Sequence, residues 1–151
     1  MFRKFSIFSL IVFCSLMFDS CKKKSKTVQD NIPYQTVDIR VYPNDPLYFK
    51  LQTAGGWMYI GGGVNGIIVY RKTATNSSTD FIAIERTSTY LPDNPGAAVK
   101  VQSDNFTLKD TVSGSKWQIV DGALMSGPAT TNLRQYSSVY DSGSGTLYIR
   151  N

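Results

Sequence analysis

Residues equipped for covalent or metal chemistry are scarce in this chain: it has no histidine, and its two cysteines are Cys14 and Cys21. Nucleophilic catalysis needs a base beside the attacking hydroxyl or thiol. Without histidine the familiar triads are out of reach, and no Ser-x-x-Lys stands in a helical context. Glycoside cleavage requires two cooperating carboxylates. Asp80, Glu85, Asp110 and Asp121 are candidates, but nothing in their spacing brings two of them together. Gly61-Gly62-Gly63-Val64-Asn65-Gly66 looks like a phosphate loop, yet neither Lys-Ser/Thr nor a helix follows it. Its glycines predict a tight corner instead. Nine tyrosines and two tryptophans, Trp57 and Trp117, offer ring faces on which a sugar could stack. In a β-rich chain most such rings belong to strands in or beside the core. These residues together predict a protein that is not an enzyme.

The N-terminus accounts for both cysteines. Arg3 and Lys4 precede an apolar run, Phe5 to Phe18, that is shorter than the about 20 residues a membrane-spanning helix needs. Small Ser20 then precedes Cys21, so residues 1–20 read as a secretory signal. Phe18-Asp19-Ser20-Cys21 resembles the lipobox of Bacteroidetes lipoproteins, in which the cysteine is acylated and becomes the first residue of the mature chain. Cys14 then leaves with the signal and Cys21 is committed to lipid, so no disulfide framework remains. Each buried methylene contributes about 0.8 kcal/mol, and two or three acyl chains hold a protein on a membrane. Residues 21–33 form a polar tether in which Lys22, Lys23, Lys24 and Lys26 face either anionic headgroups or solvent. Loss of residues 1–20 removes Arg3, Lys4 and Asp19 and lowers the net charge from +5 to +4. Four of the remaining positive charges lie in the tether, so the body is near neutral. No basic stripe is left for nucleic acid.

Residues 34–151 have the length of one domain able to bury its own core. The reading is all-β. Val37–Tyr42 alternates apolar and polar residues, which places one face inward. Gly66–Arg71 is a continuous apolar run, the pattern of a strand covered on both faces. Further strands are predicted at Trp57–Ile60, Asp80–Arg86, Ala98–Gln102, Asn105–Lys109, Lys116–Val120, Arg134–Tyr140 and Thr146–Arg150. Pro43-Asn44-Asp45-Pro46, Asp93-Asn94-Pro95-Gly96 and Asp141–Gly145 separate them. Asp121-Gly122 predicts a type I′ hairpin, and Pro46–Gln52 a short helical turn.

Taken in order, these segments resemble a Rieske iron–sulfur domain. The resemblance is carried by the strands Gly66–Arg71 and Phe81–Arg86, by Arg86–Leu91 and Asp110–Ser115 as the two cluster-binding boxes, and by Trp117 and the Asp121-Gly122 hairpin. Gly127-Pro128-Ala129 matches the family's proline loop, and Leu133, Tyr136 and Thr146–Ile149 complete it. The resemblance implies stacked antiparallel sheets or a small β-sandwich. It also implies two loops that in the family carry Cys-x-His and Cys-x-x-His. In this chain Ser88 and Tyr90 stand at the first pair of ligand positions, and Asp110 and Ser113 at the second. Asp93 and Val112 stand where some members have an inter-loop disulfide. Serine and phenol are poor ligands near neutral pH, clusters demand thiolate or imidazole, and one carboxylate is no cage for zinc or a hard cation. The expectation is no cofactor and no metal, with the loops meeting through Tyr90 while Ser88, Asp110 and Ser113 satisfy local backbone groups.

The functional expectation is a lipid-anchored envelope protein at the outer membrane, facing the periplasm, with a non-catalytic interaction or structural role towards an envelope protein partner. One alternative is a small-ligand or glycan-binding module that uses the vacated cluster cavity together with Trp57 and Trp117. Electron transfer, which the resemblance alone suggests, is disfavoured by the absent ligands.

Overall fold

Ile67-Ile68-Val69 and Phe81-Ile82-Ala83-Ile84 are apolar at consecutive positions, an arrangement that suits strands covered on both faces. Every one of these side chains is buried. They form the middle of the larger of two antiparallel sheets in a computed structural model that describes residues 31–94 and 96–151. Residues 1–30, which hold the expected signal segment, Cys21 and most of the expected tether, lie outside the described residues.

The described strands are β1 (Asp38–Val41), β2 (Trp57–Ile60), β3 (Ile67–Arg71), β4 (Phe81–Glu85), β5 (Lys100–Val101), β6 (Thr107–Lys109), β7 (Lys116–Gln118), β8 (Leu124–Ser126), β9 (Gln135–Asp141) and β10 (Thr146–Arg150). A 3-10 segment, Pro46–Leu51, joins β1 to β2. The six-stranded sheet has the order β1-β10-β9-β4-β3-β2 and is curled, and a four-stranded sheet runs β5-β6-β7-β8. The fold is therefore all-β, as expected.

Period-two alternation divides the apolar residues between two cores. Ile67, Val69, Phe81 and Ala83 face inside the curl, where they meet Val41, Tyr140, Leu147 and Ile149. Ile68, Ile82 and Ile84 point the other way, onto Leu108, Trp117, Ile119 and Leu133 of the small sheet and the chain that follows it. The small sheet thus rests on β3 and β4 through the second core. Packing also reaches back to Ile32, inside the segment expected to be tether. Ile32 is buried, and Arg134 donates to its carbonyl at 2.7 Å and to that of Pro33 at 3.1 Å.

Two local expectations need correction. The predicted strands Ala98–Gln102 and Asn105–Lys109 shorten because Asp104 sets the turn between them, accepting from the Phe106 and Thr107 amides and the Thr107 hydroxyl. The Asp121-Gly122 turn is not type I′, since Gly122 has φ of 65° and Asp121 is not left-handed. Ile119 is drawn into the second core with its amide bonded to Phe106 O, which delays the reversal. A wider turn then closes through Gly122 N–H to Gln118 O.

Candidate functional site

The site is built from the end of β4 outwards. Glu85 closes an otherwise apolar strand and is fully buried. Oε1 accepts from the Asn65 and Thr87 amides and the Thr87 hydroxyl, and Oε2 from the Val64 amide and the Tyr136 hydroxyl. Burial alone would raise the carboxyl pKa. Hydrogen bonds from Tyr136, Thr87, Val64 and Asn65 outweigh it and hold the group below its ordinary value. Burial and the same carboxylate push the Tyr136 phenol well up. The glycine corner is therefore folded over an anion. A Cβ on Gly63 would lie 2.2 Å from Glu85 Oε2, and Gly63 has φ of 62°, so glycine is required there on both counts.

That anchor fixes the loop that begins at Thr87. Ser88 is fully buried; its hydroxyl accepts from the Tyr90 amide at 3.2 Å and lies near enough to the Asp110 carboxylate of the second loop to help lower its pKa. Asp110 is also fully buried and accepts from the Val112 amide at 2.8 Å and the Ser113 hydroxyl at 2.6 Å. Ser113 Oγ lies 2.9 Å from Ser115 Oγ and accepts from the Ser115 amide at 3.1 Å. Ser115 Oγ in turn accepts from the Ala129 amide at 3.0 Å. Gly127 comes so close to Ser115 that a Cβ there would lie 2.4 Å from its Cα. One polar chain thus joins the Asp110 and Gly127-Pro128-Ala129 loops at one end of the small sheet, with the Ser88 hydroxyl buried beside Asp110.

The structure brings Ser88, Asp110 and Ser113 together, and each satisfies local backbone as expected. Tyr90 takes a different part. It is half-buried against the second core, and its ring borders an open cleft of about 690 Å3 shared with Thr89, Leu91 and Asn94. Three contributors were not foreseen in these roles. Glu85 had a readable signal, a lone charge ending an apolar strand beside a glycine cluster. Ser115 and Thr87 look in sequence like ordinary loop hydroxyls.

The chemistry open to this set is limited. Desolvation opposes the Asp110 charge, but bonds from Ser113, the Val112 amide and Ser88 hold its pKa below the ordinary value. A carboxylate so stabilised is a weak base and leaves both serine hydroxyls unactivated. Among the described residues no three of Asp, Glu, Cys and His converge. Trp117 is fully buried, with its indole N–H donating to Thr131 O at 2.9 Å, so no ligand can stack on it. No family model and no curated protein matches the chain.

Asp110→Asn is expected to cost about 1–3 kcal/mol, since a buried acceptor of several donors becomes half a donor itself. The pKa of Asp110 is lower folded than unfolded, so its contribution is present above the ordinary value of 3.8 and fades as pH falls through the folded value. Urea titrations of wild type and variant across that range should converge at low pH. A constant difference would contradict the assignment.

Proposed function

We propose that this chain is a lipid-anchored envelope protein whose β domain is a Rieske-like frame without a cluster, acting as a non-catalytic interaction component. Support for the frame comes from the arrangement of a small sheet on a larger one, with three loops gathered at the small sheet's end. The observation that carries the reading is the polar chain from Asp110 through Ser113 and Ser115 to the Ala129 amide, with Ser88 buried beside it. A [2Fe–2S] cluster does not fit these residues. The positions offer no thiolate or imidazole, and their oxygens are spent on one another. Cys21 would carry the anchor, with the four tether lysines beside the membrane surface on the periplasmic side.

With the interior of the loops closed, recognition falls to their rim. Leu91 is 57% exposed at the first loop and Val112 is 50% exposed at the second. Leu91 also has φ of 54°, a costly conformation for a bulky residue. Strain of this kind persists where surrounding structure over-determines it, commonly at binding surfaces. Gly96 of the first loop abuts Val112, where a Cβ would come within 3.3 Å of Cγ2, so the two rims are continuous. A protein partner from the same envelope is the occupant we assign to them.

A photo-crosslinker placed at Val112 in the full lipidated chain, irradiated in native membranes, should yield one dominant adduct. The same group at Val139, 49% exposed on β9 of the other sheet, should not. Equal labelling at both positions would remove the rim from consideration. Stoichiometric iron and sulfide with visible absorption in the purified protein would overturn the cluster-free reading.

A further inference from the structure

We infer that a second site, remote from the three loops, binds an acidic pyranose such as a uronate residue of a polysaccharide. β5 and β6 are antiparallel, so the turn at Asn105 lies at the opposite end of the small sheet from Asp110. There a cleft of about 370 Å3 opens between the 3-10 segment and β2. Its walls are Phe49 and Trp57, and the Lys50 ammonium sits 6.0 Å from the first ring centre and 5.7 Å from the second. Thr53 and Asn105 supply the polar groups.

The backbone that carries Phe49 and the ring of Trp57 are both held in place. The segment starts at Asp45, whose side chain accepts from the Leu47 amide at 2.7 Å, and Arg71 clamps its end by donating to Leu51 O and Gln52 O. Its backbone sits directly on Gly56, where a Cβ would meet Lys50 O at 1.6 Å. Trp57 donates its indole N–H to Asn105 Oδ1 at 3.0 Å and meets the Tyr59 ring edge-on at 5.1 Å. Asn105 holds a left-handed backbone with φ of 53° to make that bond. Trp57 packs partly against the second core, yet its ring also borders the cleft and its N–H is tied to the β5–β6 turn.

The donors define the ligand. Aromatic faces stack on the apolar face of a sugar ring. The Asn105 amide nitrogen and the Thr53 hydroxyl suit ring hydroxyls. Among the described residues no carboxylate pairs with Lys50, which rests over two rings instead. An exposed cation–π contact is weak, and a charge-assisted bond to a carboxylate is stronger. A uronate would therefore draw the ammonium off the rings and open them for stacking. A neutral sugar could not.

Calorimetric titration of the full chain in detergent with an oligogalacturonate should show saturable binding that weakens with salt, and a neutral galactan oligomer should not bind. Lys50→Gln should weaken the oligogalacturonate by about tenfold or more, the effect of losing one charge-assisted bond. Trp57→Phe keeps a ring and should bind more weakly, while Trp57→Ala should not bind at all. Thermal unfolding midpoints of these variants, compared with wild type, separate a lost site from a lost fold. Absence of saturable uronate binding, equal binding of the neutral oligomer, or indifference to Lys50→Gln in a folded protein would each overturn the proposal.

Discussion

Glu85→Ala is expected to remove about 3–5 kcal/mol of folding stability, a large share of what a domain of this size has. The cost comes from what the carboxylate leaves behind. Amides of Val64, Asn65 and Thr87 and the Tyr136 hydroxyl would all lose their acceptor at a fully buried position. Each stranded donor costs about 1–3 kcal/mol unless water enters to replace the lost bond. Tyr136→Phe should cost far less, about 1 kcal/mol, because the anion keeps its other donors. Glu85→Gln should fall between them, since its amide NH2 must face at least one donor. The charge also has a pH signature. The folded pKa lies below the ordinary 4.5, so the stabilisation is full above that value and is lost as pH falls through the lowered one. Urea denaturation of the three variants at neutral and acid pH tests the set. A Glu85→Ala protein within about 1 kcal/mol of wild type would mean that the glycine corner does not depend on this anion.

Much of the scaffold was legible because its signals are local. The apolar runs at Ile67–Val69 and Phe81–Ile84 declared strands covered on both sides; glycines on either side bounded β2, and the Asp141–Gly145 turn fixed the start of β10. Less legible was anything decided by a distant partner. Whether the chain reverses at Asp121-Gly122 or later depends on Ile119 finding a place beside Trp117 in the second core, and no local rule encodes that. Trp57 and Trp117 both stand in short strands, yet Trp117 is sealed and Trp57 lines a cleft. Only the stacking of the two sheets separates them. The three-loop site divides the same way. Ser88, Asp110 and Ser113 could be named from their order along the chain. Their bonding to one another is a property of the folded loops, as is the recruitment of Ser115 by Ala129. The curl of the large sheet and the small second sheet were legible only as all-β.

Gly127→Ala is the sharpest test of whether those loops act as one unit. Two costs fall on this substitution. The residue has φ of 106°, which L side chains rarely adopt, and its Cβ would sit 2.4 Å from Ser115 Cα and 2.9 Å from Ser115 Oγ. Backbone cannot yield as a flexible side chain can, so the Gly127-Pro128-Ala129 loop must lift and the Ala129 amide must leave Ser115 Oγ. Strain and overpacking each cost about 1–3 kcal/mol, and a combined loss of about 2–6 kcal/mol is expected. Gly114→Ala supplies the comparison within the same site. It has φ of 78° but nothing within 4 Å of an added Cβ, so it should show the backbone cost alone, about 1 kcal/mol. If the rim at Leu91 and Val112 recognises a partner, its shape rests on the polar chain that Ser115 completes. Gly127→Ala should then weaken the crosslink from Val112 more than Gly114→Ala does, even below the temperature at which either variant unfolds. Equal crosslinking by the two, with unequal stabilities, would separate the network from recognition and leave it a purely structural brace.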